Sequence, residues 1–251
     1  MPVKLVSINI EGTKHLEEKV LPFLKKQNAD VITLQEVFED DVERIKQVSG
    51  MEGFFSPMAH IAQENTPIPE NNDVWGVLVL SKLPIISSGS YTYYKYQGKD
   101  ELPVFFSTKN VKKMNRVLSW ITILSDKEEL TFATTHFTWS AKGETTPLQE
   151  EAYQNLESIL DRLPISVLTG DFNAPRGKKI FSKLSERFKD NIPQDIVTTI
   201  DNNIHKAPDE INLVVDGLFT AKGIKVLNAQ VVPGVSDHMA IVGMIEVENV
   251  S

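Results

Sequence analysis

Amide, carboxylate and imidazole side chains follow or interrupt apolar segments at many points of this 251-residue chain. One apolar segment, over residues 165–168, is rich in β-branched residues and predicts a buried strand. It leads through Gly170 to Asp171 and Asn173, a carboxylate and a carboxamide two residues apart. At the end of a rigid strand, such a pair can hold a proton acceptor and a hydrogen-bonding group in fixed relation. Gly, Asp, Asn and Pro also dominate turns, so this stretch alone favours a turn and a site equally.

Polar residues with the same placement occur along the whole chain. They are Asn9, Glu11, Glu36, His136, Asp171, Asn173, Asp216, Asp237 and His238. Burial alone does not account for so many of them at successive strand ends. Carboxylate oxygens such as those of Glu36 and Asp237 suit a hard cation, Mg²⁺ or Mn²⁺, and the histidines lack the spacing of a zinc site. A hard cation beside a histidine and a carboxylate base is the equipment for hydrolysing phosphoesters.

The composition is that of a globular protein, with 41% hydrophobic and 24% charged residues. Lys and Arg number 26 against 34 Asp and Glu, a net charge of −8, which argues against gripping duplex nucleic acid by charge alone. The absence of cysteine excludes disulfides and thiolate metal sites. The longest apolar run, over 74–80, is too short to span a bilayer, and the first residues enter a strand pattern without a signal peptide. We therefore expect a cytoplasmic, monomeric protein without a membrane span.

The hydrophobic pattern predicts alternating strands and helices. Strands are predicted over 3–10, 30–36, 75–80, 84–94, 116–124, 130–136, 165–168, 213–220, 225–232 and 239–247. Helices are predicted after the cap Thr13, over 40–48, after the capping box that begins at Thr146, and over 178–184. Residues 60–73 and 191–208 are predicted to be irregular. The pattern favours one α/β domain over 1–251, a two-layer β-sandwich flanked by helices.

Residues 91–116 combine aromatic and basic side chains. The aromatic ones are Tyr91, Tyr93, Tyr94, Tyr96, Phe105 and Phe106, and the basic ones are Lys95, Lys99, Lys109, Lys112, Lys113 and Arg116. Rings that stack on bases beside cations that follow phosphates would suit a single-stranded or distorted nucleic acid. The acidic net charge favours the alternative, a β-hairpin whose aromatic side chains pair across strands. Arg116 is the best candidate for a phosphate-binding cation.

Short segments spread over nearly the whole chain carry a family pattern. They are Ser7-Ile8-Asn9-Ile10-Glu11-Gly12, Leu34-Gln35-Glu36, Thr135-His136, Gly170-Asp171-Phe172-Asn173, Val215-Asp216-Gly217-Leu218-Phe219 and Ser236-Asp237-His238. In this order they resemble the endonuclease/exonuclease/phosphatase superfamily, which includes DNase I-like nucleases, inositol polyphosphate 5-phosphatases and neutral sphingomyelinases. The resemblance implies a four-layer α/β/β/α fold of the DNase I type. Because Thr169 precedes Gly170 and Ala174 follows Asn173, the chain departs from the inositol phosphatases and is more similar to compact, uncharacterised bacterial members.

The resemblance also implies how a metal ion would be held. Glu36 would be the main ligand of Mg²⁺ or Mn²⁺, with Asn9 beside it and Asp237 completing the set. Glu11 matches a position that is often Asp in the repair nucleases of the family, so its role as a ligand is less secure. Those nucleases often also place a tyrosine in the site, and the candidates in this chain are Tyr93, Tyr94 and Tyr96.

The catalytic roles follow from the same resemblance. Asp171 would orient or deprotonate the attacking water, and Asn173 would hold that carboxylate and the phosphate. His238 would contact a phosphate oxygen, while Asp216 would fix the orientation of its ring. His136 would donate to the phosphate from the opposite side.

Three functions are compatible with these residues. The first is a metal-dependent phosphodiesterase that cleaves nucleic acid, which the aromatic and basic side chains of residues 91–116 favour. The second is a phosphoesterase for a small molecule or lipid headgroup, which the net charge of −8 favours. The third is a non-catalytic binding module, which predicts the loss of Glu36, Asp171 or His238, yet all three are present.

Overall fold

β-Strands form the centre of the computed structural model, which describes residues 1–62, 74–106, 114–206 and 209–248. In chain order they are β1 (Val3–Asn9), β2 (Val31–Phe38), β3 (Glu52–Ala62), β4 (Val74–Ser81), β5 (Ile85–Tyr94), β6 (Val104–Phe106), β7 (Arg116–Ser125), β8 (Glu128–His136), β9 (Val167–Asp171), β10 (Lys189–Asp190), β11 (Asp216–Thr220), β12 (Ile224–Val232) and β13 (Ala240–Val247). Every strand predicted from the sequence is present, with its ends shifted by a few residues. The short apolar runs of the sequence therefore located most of both sheets.

The strands form two sheets that pack face to face. The first sheet has the order β12-β13-β1-β2-β4-β3-β6, and the second has the order β10-β11-β9-β8-β7-β5. β1 and β2 are parallel neighbours in the first sheet, as β8 and β9 are in the second. Each parallel pair brings the carboxyl ends of its strands to one edge, and most of the polar residues singled out in the sequence lie at these ends.

Helices cover the outer face of each sheet. α1 (Leu21–Gln27), which continues a π-helical turn over Leu16–Val20, and α2 (Val42–Ser49) pack on the first sheet. α3 (Pro147–Leu160) and α4 (Lys179–Arg187) pack on the second. The layers are therefore helix, sheet, sheet and helix, as predicted. In the described part of the chain, every helix is too short or too polar to cross a membrane.

The start of α3 confirms the predicted capping box. The backbone N–H of Gln149 donates to the hydroxyl of Thr146 at 3.2 Å, and the backbone N–H of Thr146 donates to the side chain of Gln149 at 3.4 Å. Pro147 occupies the first helical position, where its missing N–H leaves no acceptor unpaired. Gln149 also donates to the carbonyl oxygen of Asn173 at 3.2 Å, so the helix start supports the loop that follows β9.

The side chains between the two sheets change from apolar to polar along the strands. They run Val3, Leu5, Ser7 and Asn9 on β1, Leu130, Phe132, Thr134 and His136 on β8, and Val167, Thr169 and Asp171 on β9. The apolar members form a shared core. Beyond it, the hydroxyls of Thr33 and Thr169 hydrogen bond at 2.8 Å, and Gln35 donates to Thr134 at 2.8 Å. The most polar members then meet at one edge of the sandwich, where they are held by the rigid centres of both sheets.

Two local predictions were wrong. The sequence does not predict β3, because Gly53 and Pro57 interrupt its pattern; the pairing of β3 with β4 shifts register after Pro57, and this bulge accommodates the missing N–H. The irregular region expected from residue 60 therefore begins inside a strand, and residues 63–73 lie outside the described residues. The first helix begins at Leu16 rather than after Thr13, and no side chain caps it.

Candidate active site

His136, Asp171 and Asp216 are neighbours on three adjacent strands. His136 of β8 pairs with Asp171 of β9, and Asp171 pairs with Asp216 of β11. All three side chains are buried. Gly170 permits this packing, because it has a φ of +145° and a Cβ there would lie 2.1 Å from the carbonyl oxygen of Thr135. The glycine that precedes the carboxylate therefore serves the close approach of two strands rather than a turn alone.

Asp171 lies at the centre of the polar cluster. Its Oδ1 accepts the backbone N–H of Asn173 at 2.9 Å, and its Oδ2 accepts the side-chain amide of Asn9 at 3.1 Å. Nε2 of His136 lies 3.4 Å from Oδ2, and Nε2 of His238 lies 3.8 Å from it. Asn173 has a φ of +48°, a conformation that asparagine tolerates better than most residues. The backbone of Asn173, rather than its carboxamide, thus holds the carboxylate.

Glu36 reaches the cluster from the first sheet through an irregularity in β2. Alternation turns Gln35 toward the other sheet, so regular pairing would turn Glu36 toward the helices. The pairing with β4 instead shifts register between Gln35 and Val37, and Glu36 has a φ of +61°. Its Oε1 accepts the side-chain amide of Asn9 at 2.9 Å, so the bulge aims this carboxylate at the cluster. Burial raises the pKa of Glu36 to about 7.

His136 is held through its backbone and its ring. The guanidinium of the buried Arg116 donates to the carbonyl oxygen of His136 at 3.1 Å. The ring of Trp75 meets the imidazole edge-on, with 5.3 Å between the ring centroids. Nε2 lies 3.8 Å from Oε1 of Glu36, whereas Nδ1 is buried and has no hydrogen-bond partner among the described residues. Burial lowers the pKa of His136 to about 3, so the ring is neutral near pH 7.

His238 forms a buried pair with Asp216. Its Nδ1 lies 2.9 Å from Oδ2 of Asp216, which leaves Nε2 directed toward Asp171. Burial opposes the charged form of His238, but the carboxylates of Asp216 and Asp171 together raise its pKa well above the usual value. The two histidines of the cluster therefore differ in charge at neutral pH, with His136 neutral and His238 protonated.

Thr199 connects the two members of this pair. Its hydroxyl oxygen accepts the backbone N–H groups of Val215 and Asp216, both at 3.1 Å. Its carbonyl oxygen accepts the N–H of Met239 at 2.7 Å, next to His238. One fully buried residue thus fixes the start of β11 against the loop that carries the imidazole. The sequence gives no sign of this role, because Thr199 lies in a region predicted to be irregular.

Asp201 supports the same loop from the other side. Its backbone N–H donates to the carbonyl oxygen of Asp237 at 2.8 Å, and its carboxylate accepts the N–H of Gly234 at 2.6 Å. The carboxylate of Asp237 accepts the hydroxyl of Ser236 at 3.2 Å and lines the same cleft as Glu36. Asp237, which the sequence proposes as a ligand, is therefore held at the cleft through the backbone of the buried Asp201, a residue for which the sequence gives no signal.

Glu11 lies at the side of the cluster. It has a φ of +54°, and its backbone N–H donates to the side-chain oxygen of Asn9 at 3.1 Å. Its carboxylate forms an ion pair with Lys14 and lies within hydrogen-bond distance of Nε2 of His15, at 3.1 Å. His15, to which the sequence motifs assign no role, thus contacts a carboxylate proposed as a metal ligand. Glu11 is a weaker candidate for a ligand than Glu36, because both of its carboxylate oxygens already have side-chain partners.

The candidate tyrosines do not line the cleft in the described part of the chain. Tyr93 is buried, bonds the hydroxyl of Thr135 at 2.8 Å and stacks on Phe137 with 6.0 Å between ring centroids. Tyr94 and Tyr96 are half-buried and also absent from the cleft lining. The side chains of Phe105, Phe106, Lys109, Lys112 and Lys113 lie outside the described residues. Tyr93 therefore belongs to the core beneath α3, and among the described aromatic and basic side chains of this stretch Arg116 is the one that lines the cleft.

A cleft of about 620 Å³ opens over the cluster. Its lining includes most of the predicted site residues, namely Glu11, Glu36, Arg116, His136, Asp171, Asn173, Asp237 and His238. It also includes residues that the sequence analysis missed, namely Phe38, Ile61, Trp75, Met114, Trp139, Lys142, His205, Ile211 and Leu213. Apolar residues of a cleft carry the same pattern as apolar residues of a core, so the sequence offers no signal that separates them.

The donor atoms of the cluster fit a hard cation. Glu36, His136 and Asp171 place ligand atoms within 4.8 Å of one another, and Asp171, Asp216 and His238 do the same. Buried carboxylates this close repel one another unless protons or a cation compensate their charge. The carboxylate oxygens of this cluster suit Mg²⁺ or Mn²⁺ better than softer metals.

Known proteins share this fold over the whole chain. The model of the Endonuclease/Exonuclease/phosphatase family matches residues 6–238, whereas no curated protein matches the sequence. An endonuclease/exonuclease/phosphatase from Bacteroides vulgatus has a TM-score of 0.72 at 15% identity, covering 99% of this chain and 100% of its own. An endonuclease/exonuclease/phosphatase family protein from Leptotrichia buccalis has a TM-score of 0.71 at 20% identity, and the match covers 97% of this chain and 99% of that protein. A mannosyl-6-phosphatase of Bacteroides thetaiotaomicron has a TM-score of 0.69 at 13% identity, and the match covers 97% of this chain and 99% of that protein. These structures confirm the predicted DNase I-like fold.

Proposed function

We propose that this chain, which belongs to the endonuclease/exonuclease/phosphatase family, is a divalent-metal-dependent phosphoester hydrolase. The observation that carries the proposal is the environment of Asp171 Oδ2. This oxygen lies 3.1 Å from the amide of Asn9, 3.4 Å from Nε2 of His136 and 3.8 Å from Nε2 of His238. A fixed carboxylate oxygen between a neutral and a protonated imidazole is suited to accept a proton beside a negatively charged ester.

Glu36 and Asp237 would hold Mg²⁺ or Mn²⁺, with Asn9 beside them. Glu36 is the stronger candidate, because its half-buried carboxylate lies beside His136 and Asp171 and its pKa is raised to about 7. When bound, the cation would polarise the phosphoryl group and stabilise the leaving oxygen. Asn9 donates to both Glu36 and Asp171, so it would keep the metal-binding carboxylate and the base at a constant distance.

Asp171 would accept a proton from the attacking water through Oδ2, the oxygen that lies nearest to the two imidazoles. His238 would donate Nε2–H to a phosphoryl oxygen, with Asp216 stabilising the imidazolium at Nδ1. His136, kept neutral by burial, would donate from Nε2 to another phosphoryl oxygen. Arg116 donates to the backbone of His136 and adds a positive charge beneath the site.

Two substrate classes are proposals at this stage. Cleavage of nucleic acid rests on the stretch 91–116, of which Tyr93 is buried and three lysines lie outside the described residues. Hydrolysis of a small phosphoester rests on the cleft of about 620 Å³, and a mannosyl-6-phosphatase shares the fold. Cytoplasmic location and a monomeric state also stay predictions from the sequence.

Hydrolysis of bis(4-nitrophenyl) phosphate tests the proposed reaction. The chelated protein should be inactive and should recover activity with Mg²⁺ or Mn²⁺. Asp171→Asn should lower kcat by about 10²-fold or more, because it removes the proton acceptor while keeping the shape of the side chain. Asp195→Asn is a matched control, since Asp195 is exposed and lies outside the cleft. An unchanged kcat in Asp171→Asn would contradict the assignment of Asp171 as the general base.

A further inference from the structure

We propose that the substrate is a small phosphoester whose organic group is apolar and lies in the cleft above the polar cluster. This proposal rests on the proposed function, because it places the phosphate at Asp171 and His238. It concerns the part of the molecule that surrounds the reaction, where the described cleft is mainly hydrocarbon and aromatic ring. The organic group would be a soluble molecule of a size that one cleft can enclose.

One wall of the cleft is a separate apolar cluster. Phe38, Ile61, Trp75 and Met114 pack together with Ala59, apart from the cores beneath the helices and between the sheets. Four of these five side chains also line the cleft. A small cluster at a sandwich edge that faces a cleft rather than a helix is available to a ligand. We call the cleft-lining members, Phe38, Ile61, Trp75 and Met114, the apolar wall.

The apolar wall meets the polar cluster directly. Trp75 contacts His136 edge-on, at 5.3 Å between ring centroids, and His136 Nε2 lies 3.4 Å from Asp171. A phosphate held by the polar cluster would therefore place the next atoms of its ester group against Trp75. Further apolar side chains come from the segments after β8 and before β11, including Trp139, which is 47% exposed, and Ile211. An exposed tryptophan at a cleft is a surface that an apolar ligand would cover.

The charges of the lining argue against a polyanion. Among the described residues, the cationic lysine and arginine side chains of the cleft are Lys142 and Arg116, and Arg116 is buried against the backbone of His136. The carboxylates of Glu11, Glu36, Asp171 and Asp237 line the same cleft. A nucleic-acid chain needs a cation for most of the phosphates that flank the scissile one. A substrate with one phosphate and an uncharged apolar substituent needs no such additional cations.

Competitive inhibition by n-alkylphosphonates, from methyl to hexyl, tests the proposal. These compounds keep an anionic phosphorus group and cannot be hydrolysed, and the shorter ones dissolve as monomers. With bis(4-nitrophenyl) phosphate as reporter and Mn²⁺ present, Ki should fall by about three- to fourfold for each added methylene group. A Ki that does not change with chain length, in a protein that still hydrolyses the reporter, would overturn the apolar substrate class. Absence of reporter hydrolysis with either metal would instead overturn the proposed function.

A variant of the exposed tryptophan makes the test specific to the cleft. Trp139→Ala should reduce the ratio of the Ki of methylphosphonate to the Ki of hexylphosphonate by about tenfold. The substitution removes part of the apolar surface that would cover the alkyl chain of the inhibitor. Leu227→Ala is the control: Leu227 is 46% exposed on β12 and does not line the cleft, so the ratio should stay within twofold of the wild type. Equal Ki ratios in the wild type, Trp139→Ala and Leu227→Ala would show that the alkyl chain of the inhibitor does not bind beside Trp139.

Two further classes of substrate, nucleic acids and lipid vesicles, separate the alternative sources of a phosphoester. Single-stranded DNA and RNA oligonucleotides should be cleaved with a kcat/KM at least tenfold below that for a soluble hexyl 4-nitrophenyl phosphate. Vesicles of phosphatidylcholine and sphingomyelin should likewise be poorer substrates than the soluble ester. A higher kcat/KM for an oligonucleotide or for vesicles would contradict a small soluble substrate.

Discussion

The side-chain amide of Asn9 on β1 donates to Oδ2 of Asp171 on β9 at 3.1 Å, although 162 residues separate them in the chain. The same nitrogen donates to Oε1 of Glu36 at 2.9 Å. One amide thus connects the two sheets at the edge where the polar residues of both converge. Its two acceptors are the residues to which we assign metal binding and water activation, so the spacing of these functions depends on Asn9.

Replacement of Asn9 tests this dependence. Asn9→Ala should lower kcat by about 10- to 100-fold, because both carboxylates lose their shared donor and their spacing relaxes. Thr33→Val is the matched control: it removes the 2.8 Å hydrogen bond to Thr169, which also joins the sheets but lies away from the cleft. The control should lose about 1 kcal/mol of stability and keep its kcat within twofold. Similar kinetic losses in both variants would mean that Asn9 acts only on the packing of the sheets.

The pair of His238 and Asp216 predicts a second kinetic effect. Asp216→Asn should lower kcat by about 10- to 100-fold, because the amide no longer stabilises the imidazolium that we propose as phosphate donor. Its affinity for Mn²⁺ should stay within threefold of the wild type, since Asp216 is not assigned as a ligand. Steady-state kinetics and Mn²⁺ titration by electron paramagnetic resonance give the two readouts. A large loss of Mn²⁺ affinity would reassign Asp216 to the metal.

Thr199 should act through the position of Asp216. Thr199→Val leaves the buried N–H groups of Val215 and Asp216 without an acceptor and should cost about 2–4 kcal/mol of stability with a roughly tenfold lower kcat. Thr199→Ser keeps the hydroxyl and should restore most of the kcat. Thr122→Val removes a buried 3.0 Å hydrogen bond to Thr131 away from the cleft, and should lower stability while leaving kcat unchanged. Failure of the serine variant to recover kcat would exclude the hydroxyl as the positioning group.

Gly170 makes a prediction about stability. A Cβ at this position would lie 2.1 Å from the carbonyl oxygen of Thr135, so Gly170→Ala should lower the free energy of unfolding by about 3 kcal/mol or more. Gly50→Ala is the control, because Gly50 has a φ of +64° with no atom within 4 Å of the added Cβ. It should cost only about 1–2 kcal/mol, the strain of the left-handed backbone. Urea unfolding measures both values, and equal losses would contradict the role of close strand approach.

Much of the site could be predicted because inward-facing positions on a strand recur with period two. On β8 and β9 this pattern places His136 and Asp171 on the same face as the apolar residues of the shared core. The register that makes Asp171 a neighbour of both His136 and Asp216 arises from pairing between distant segments, which a single sequence does not contain. The sequence therefore indicated most of the polar residues that gather at this edge and not their contacts.

Other parts of the site follow from irregular backbone, which a periodic pattern does not reveal. Glu36 points into the cluster only because β2 contains a bulge and a φ of +61° at that residue. Thr199 and Asp201 act from a segment without regular structure, where no period marks them. Tyr93 was proposed for the site, yet the alternation of β5 turns it into the core beneath α3.

Diffraction data collected at the manganese absorption edge, from crystals grown with Mn²⁺, test the central claim most directly. We predict an anomalous peak about 2.1 Å from a carboxylate oxygen of Glu36, close to Asp237 and Asn9. The peak should be lost or strongly weakened in crystals of Glu36→Gln, whereas Glu129→Gln, at the exposed opposite end of β8, should retain it. A peak of unchanged height in Glu36→Gln, or no peak at the cluster in the active wild-type protein, would contradict the assignment of this site as a metal-dependent phosphoester hydrolase.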